Sequence, residues 1–193
     1  MSRSEQKLQT RQRIIEAAGR GFRKGGFGGV GVDGLAKEAG VTSGAFYVHF
    51  DSKAEVFSES VVQGMSVLKN GVRQFQIDHG DHWWHRFVHF YLNERRTCDL
   101  SESCVLPTLT GEVVRSDALS RVAFETELRE VALVIATGPK ASDAPSDVEA
   151  ALAALATLLG GVMLARAVSD PVFAQTIATS VVAALCPSNK DFI

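Results

Sequence analysis

The sequence predicts an all-α chain of about nine helices, and three observations carry that class. Helix starts and stops punctuate the 193 residues densely, apolar residues recur at helical spacing, and strand-like alternation is nearly absent. Ile15, Ala18 and Phe22 stand at i, i+3 and i+7 ahead of Gly25-Gly26, an amphipathic first helix with a glycine stop. A second short helix is expected over about Val32 to Ala39 and a third over about Ser43 to Phe50. Ser52-x-x-Glu55 is a capping-box pattern that opens a long helix to about Gln76, and Asp78-His79-Gly80-Asp81 reads as the next turn. Further helices follow at about 82–97, 104–115, 117–137, 147–168 and 171–186. Asp81, Ser103, Ser116, Ser146-x-x-Glu149 and Asp170-Pro171 mark their starts, the last with proline at the first helical position. Gly138-Pro139 and Cys186-Pro187 are stops, and residues 138–145 form the one mobile-looking loop.

Composition excludes several classes. A chain of 20.8 kDa makes one domain, or a small module joined to a larger one. With 22% charged and 46% apolar residues it is neither disordered nor collagen-like. Met1 to Lys7 holds no apolar stretch, so no signal peptide is expected and the predicted location is cytoplasmic. The apolar, uncharged run Ala150 to Ala165 has sixteen residues against the roughly 20 a spanning helix needs, so no membrane is expected as a partner. Three cysteines, Cys98, Cys104 and Cys186, are an odd number without CxxC spacing, which argues against a disulfide framework or structural zinc.

The overall charge of −2 conceals an asymmetry. Residues 1–53 carry nine Lys/Arg against five Asp/Glu, or +4, and the other 140 carry 11 against 17, or −6. A cationic front on an anionic body suits a protein that lays one end against polyphosphate.

Val32 to Phe50 has the spacing of a helix-turn-helix. Leu35, Ala36 and Ala39 give one helix a small apolar face, Gly40 permits a turn with positive φ, and Val41, Phe46 and Phe50 fill the angle between helices. The second helix then presents Thr42, Ser43, Gly44, Ala45, Tyr47, Val48 and His49 outward. Short side chains let such a helix enter the roughly 12 Å wide major groove, while Tyr47 and His49 can donate to flanking phosphates. Lys53, in the first turn of the fourth helix, opposes the helix dipole unless a phosphate lies between it and the terminal amides.

At these residues the chain resembles the tetracycline-repressor-like (TetR) family of bacterial transcriptional regulators. The resemblance rests on Arg13-Ile-Ile-Glu-Ala-Ala18, Gly26-Phe27, Leu35-Ala-Lys-Glu-Ala-Gly-Val41, Gly44-Ala-Phe-Tyr-Val-His-Phe50 and Ser52-Lys53. Beyond about residue 57 only helix number and order agree, together with a penultimate-helix likeness over Ala154 to Pro171. It implies a homodimer on double-stranded operator DNA, a DNA-binding domain over 1–53, and an effector-binding and dimerisation domain over 54–193. Tyr47, His49 and Lys53 are implied to touch phosphates, with Thr42, Ser43 and Gly44 nearest the bases and Gly31 and Val32 at the start of the preceding helix. Gly31 and Ser43 depart from the pattern: many members have Ser or Thr at the first position and Lys or Arg at the second. Direct base reading is then sparse, and DNA shape carries more of the specificity.

The last two helices are apolar nearly all round. Leu152, Leu155, Leu159, Val162, Met163, Phe173, Ile177 and Val181 are the expected dimer interface, a four-helix contact with a twofold copy, with Ala154, Gly160 and Gly161 allowing close approach. That symmetry predicts a palindromic operator. Met65, Leu68, Phe87, Phe90, Tyr91, Cys104, Phe124 and Leu128 are the expected lining of a site for a small apolar effector of unknown identity. Cys104, expected in the first turn of its helix, offers an alternative trigger as an electrophile or redox sensor. His82, His85 and His89 share a helical face with Arg86, Asn93 and Arg96 and read as solvated, not as metal ligands. An all-α enzyme is the rival class. Neither paired carboxylates near a histidine, nor GxSxG, nor a phosphate loop is present, so no catalytic residue and no cofactor is expected.

Overall fold

The computed structural model describes residues 2–188, and these form nine α-helices with no strand among them. The helices are α1 (Arg3–Gly29), α2 (Val32–Glu38), α3 (Ser43–Tyr47), α4 (Lys53–His79), α5 (Trp83–Thr97), α6 (Val105–Val114), α7 (Ala118–Ala136), α8 (Val148–Ala167) and α9 (Pro171–Leu185). Short 3-10 turns at Gly80–His82 and Leu100–Glu102 precede α5 and α6.

The boundaries follow from local chemistry. Ser2 caps α1 through a full capping box with Glu5. The predicted glycine stop lies inside α1: Gly26 takes φ 71° and breaks the helix, which then runs three residues further. A Cβ at Gly26 would lie 2.8 Å from Glu112 Oε1. Ser52 Oγ accepts from the Glu55 amide at 3.1 Å, but the Glu55 carboxylate accepts from the Asp51 amide at 2.6 Å, so the capping box there is offset by one residue. Four predicted start markers are displaced by one residue. His82, not Asp81, is the N-cap of α5. Asp117, not Ser116, accepts from the Ser120 amide; Asp147, not Ser146, caps α8; and Cys104, not Ser103, stands at the N-cap of α6, one position before its first turn. Asp170 caps α9 with Pro171 behind it, as the sequence predicts.

Packing divides the chain into two compact units, Met1–Met65 with Asp99–Glu127 and Ser66–Cys98 with Leu128–Ile193. In the first, α1 packs on α2 and α6, and α2 on α3. Its core contains Ile14, Phe22, Leu35, Phe46, Phe50, Phe57 and Leu109, each at most 1% exposed. Such side chains contribute about 1.5–3 kcal/mol apiece when buried. Arg23 Nε donates to the Ser101 carbonyl at 2.7 Å, tying α1 to the turn before α6.

In the second unit α5, α8 and α9 pack on one another around Trp83, Trp84, Leu92, Leu158 and Val162. Each indole has a polar partner: Trp83 Nε1 donates to Pro139 O at 3.0 Å and Trp84 Nε1 to Leu185 O at 3.1 Å. Gly161 permits the close approach. A Cβ there would lie 2.8 Å from Val181 and 3.3 Å from Leu92, whereas Gly160 has open space. α8 also corrects the length estimate from the sequence. Its 20 residues hold charges only near the ends, at Glu149 and Arg166, and by length and composition it could cross a membrane. Here its buried residues, among them Ala151, Leu155, Leu158 and Val162, are packed as in a core helix.

Candidate nucleic-acid interface

The turn between α2 and α3 is built from small residues. Ala36 and Ala39 are buried beside Leu35, and the chain then closes a Schellman motif: Gly40 N donates to Lys37 O at 3.1 Å and Val41 N to Ala36 O at 2.9 Å. Gly40 takes φ 67°, as its position in the turn requires. Phe46 and Phe50 are buried and lie 5.6 Å apart, while Val41 is only half-buried.

The outer face of this motif holds most of the predicted DNA-contacting residues. Thr42 and Gly44 are exposed, Tyr47 is 56% and Val48 67% exposed. Tyr47 packs edge-on against Phe46 at 5.5 Å. Gly31 is an exposed N-cap for α2 without a side-chain cap, and Val32 behind it is half-buried.

Three predicted contacts sit differently from what the sequence suggests. Ser43 is half-buried because its hydroxyl donates to Asp33 Oδ1 on α2. His49 is half-buried too, with Nδ1 enclosed and without a hydrogen-bond partner among the described residues. Burial first, then the nearby cations Lys7 and Arg11, push its imidazole below the ordinary value. Lys53 lays its ammonium 4.3 Å over the Phe27 ring, and among the first amides of α4 that of Glu55 is taken by Ser52. Sequence reasoning misses Asp33, because an acid at the start of α2 looks like ordinary helix-start chemistry even within a helix-turn-helix.

The motif is braced by α1. Arg20 Nε donates to Glu38 Oε1 at 2.8 Å on α2, and both terminal nitrogens of Arg11 reach the Glu59 carboxylate on α4. That contact raises the Arg11 pKa further, against some desolvation.

The candidate effector residues are divided between the units. Met65, Cys104 and Phe124 belong to the first; Leu68, Phe87, Phe90, Tyr91 and Leu128 belong to the second. In the second, Phe87 and Phe90 meet Phe75 at 5.7 and 5.2 Å, and Tyr91 stacks at a tilt on Phe87 at 5.6 Å.

The interface candidates separate by exposure. Leu155 and Val162 are 3% and 1% exposed and are used up in the protomer's own core, so they are not available for a partner. Leu159, Ile177 and Val181 are half-buried, while Leu152, Met163 and Phe173 are exposed, and Leu164 and Val172 join them. Gly161 serves contacts within the unit, not between copies. The predicted solvated histidine face is also corrected. His85 is 8% exposed and its Nε2 lies 3.1 Å from Asp143 Oδ2, whereas His82 stays exposed. No group of three potential metal ligands occurs among the described residues.

Residues 14–59 match the family described as bacterial regulatory proteins, tetR family. Over 52 residues the chain is 48% identical to the HTH-type transcriptional regulator TtgR of Pseudomonas putida, covering 27% of this chain and 25% of TtgR. The chain therefore matches only about a quarter of that relative's length. By fold it is similar to reduced NemR of E. coli, with TM-score 0.72, 17% identity and coverage of 92% of this chain and 95% of NemR. It is also similar to AibR solved in complex with isovaleryl coenzyme A and operator DNA, with TM-score 0.61, 16% identity and coverage of 92% and 98%. At these identities the likeness is one of fold.

Proposed function

We propose that this chain, a member of the tetR family of bacterial regulatory proteins through its residues 14–59 and its fold, is a transcriptional regulator that binds a palindromic operator as a homodimer and releases it on binding a small, largely apolar effector. The carrying observation is the turn at Gly40, which leaves Thr42, Gly44, Tyr47 and Val48 exposed on one short helix. A solvated protein surface gains nothing from an exposed tyrosine and valine beside small residues, but a major groove accepts that profile.

The DNA-binding part comprises residues 1–53, where the positive charge is concentrated, and residues 54–193 bind the effector and the second copy. Exposed Leu152, Met163, Leu164, Val172 and Phe173 on α8 and α9 support dimerisation, since so many large apolar side chains exposed on two consecutive helices are normally covered. Phe87, Phe90, Tyr91, Leu68 and Leu128 are the proposed effector contacts, and AibR, a fold neighbour, was solved with an acyl coenzyme A and DNA together. A coupling of about 1–3 kcal/mol between effector and operator suffices for release. The regulator works in the cytoplasm, where its operator lies, as a repressor and without catalysis. Selection of bound fragments from the source genome tests the reading: a shared palindrome is expected, and uniform recovery of fragments would refute it. Tyr47→Ala together with Lys53→Ala is expected to weaken binding to all sequences and, through the lost lysine charge, to flatten the salt dependence.

A further inference from the structure

Two adjacent hydroxyls at the start of α3 are committed in opposite senses. Thr42 Oγ1 accepts from the Ala45 amide at 3.1 Å, which leaves its proton free to be donated. Ser43 Oγ donates its one proton to Asp33 Oδ1, which leaves only lone pairs for any outside partner. Asp33 stands in the first turn of α2 and Ser43 at the first position of α3, so the short α2–α3 turn holds the pair together.

We propose that Asp33 sets the base preference of this protein by fixing Ser43 as an acceptor-only reader of the major groove. The proposal rests on the operator-binding reading above. In the major groove adenine N6 and cytosine N4 are the donors, whereas guanine O6 and N7 and thymine O4 are acceptors. A hydroxyl whose proton is held by a carboxylate pairs with the amino groups and meets the acceptor edges lone pair to lone pair. The Asp33 charge behind it adds to the repulsion of guanine O6 and N7 and favours the positive edge of an amino group. Asp33 is thus a positioning residue: it acts on the base through Ser43. Thr42, the neighbouring donor, takes the complementary partners, a phosphate oxygen or an acceptor edge. The absence of a long cation at position 43 is then not a loss of direct reading but an inversion of it.

The test is selection from randomised duplexes with the full chain and with Asp33→Ala and Ser43→Ala. The wild type is expected to yield a palindrome containing, in each half-site, one position where the read strand carries A or C at about fivefold over G or T, the discrimination of one neutral hydrogen bond. Asp33→Ala, which frees the Ser43 proton, is expected to readmit G and T at that position alone. Ser43→Ala is expected to level all four bases there. A palindrome without such a position, or one that Asp33→Ala leaves unchanged throughout, overturns the role of Asp33 while the regulator reading stands. Failure of the wild type to enrich any sequence overturns both. A second measurement needs no variant. Replacing the selected adenine by 2′-deoxynebularine, or the selected cytosine by its analogue lacking the N4 amine, is expected to weaken wild-type binding about fivefold. The same replacement outside the half-site is the control, and an equal effect at both places overturns the proposal.

Discussion

The guanidinium of Arg11 lies 4.6 Å over the ring centre of Phe50 while its two terminal nitrogens grip Glu59 on α4. Phe50 closes the helix-turn-helix core at 1% exposure, so this one side chain fixes α1, the end of the helix-turn-helix and α4 in a single geometry. Both charged partners are a third exposed, so solvent screening limits the ion pair. Arg11→Ala is expected to cost about 1–2 kcal/mol in urea unfolding, from the forked contact and the stacking together. Arg11→Lys should lose most of the same amount, because an ammonium cannot make the fork. An unchanged midpoint in Arg11→Lys would mean that charge alone is what matters there.

Neighbouring glycines on α8 make an internal control. A Cβ at Gly161 would lie 2.8 Å from Val181, and one at Gly160 meets nothing within 4 Å. Gly161→Ala is expected to destabilise by about 1–3 kcal/mol through overpacking. Gly160→Ala should stabilise by about 0.5–1 kcal/mol, the helix-propensity gain. Thermal unfolding of the two variants side by side checks both signs, and equal melting temperatures would remove the close approach as an explanation for Gly161.

The contrast between these glycines shows where the sequence stops being legible. Helix class, number and the Gly40 turn follow from local signals: a Schellman closure needs a positive φ at its glycine, and Gly40 has it at 67°. Which of two consecutive glycines faces a neighbour depends on helix rotation within the packed unit, which periodicity cannot set on a helix apolar all round. The same ambiguity makes Leu155 and Val162 look like interface residues in the sequence, although both are core. His85 escapes sequence reasoning for a different reason. Its partner Asp143 is 58 residues away in a loop, and only tertiary structure brings them within 3.1 Å. Ser43 and Asp33 are ten residues apart and both are visible in the motif, yet nothing in the spacing shows that their side chains meet across the turn.

Dimerisation is expected to depend on the apolar residues of α8 and α9 that the protomer leaves uncovered. Met163 and Phe173 are 46% and 53% exposed, so glutamate at either position can be solvated in a monomer without disturbing the core. The double variant Met163→Glu with Phe173→Glu is expected to elute as a monomer in light-scattering chromatography at micromolar concentration, with helical content intact. Its operator affinity should fall by at least about tenfold, because two half-sites are then bound independently. A dimer persisting in that variant would place the interface elsewhere.

Asp143 takes φ 60° in the loop before α8 and collects three contacts: the Ser188 amide at 2.9 Å, the Ser188 hydroxyl at 2.7 Å and His85 Nε2 at 3.1 Å. Burial by itself raises its pKa, but the two Ser188 hydrogen bonds and His85 together outweigh that and hold the carboxyl below its usual range. A depressed carboxylate contributes stability that is complete above the unfolded-state value and disappears as pH falls through the folded one. Asp143→Asn keeps a residue tolerant of positive φ and removes the charge. Wild type should exceed it by about 1–2 kcal/mol near neutrality, with the difference closing in acid below about pH 4. A gap that persists unchanged into that acid range would assign the effect to shape rather than charge.

His49 gives a pH response of opposite sign for folding and for operator binding. Burial, Lys7 and Arg11 lower its pKa in the free protein, so the unfolded chain binds more protons as pH falls below the ordinary imidazole value, and the fold loses stability in acid. If the ring lies beside an operator phosphate, as the family resemblance implies, the added negative charge favours the imidazolium and the pKa in the complex lies above that of the free protein. Affinity is then flat at alkaline pH and rises as pH drops through the complex value, levelling off below the free one. From the alkaline plateau to the acid one the gain is expected to total about tenfold for each pKa unit separating the two states. His49→Gln, which cannot take up the proton, is expected to bind with a flat profile while retaining the salt dependence of the remaining phosphate contacts. If the acid-side gain survives in His49→Gln, the proton is taken up elsewhere and the ring is not at a phosphate.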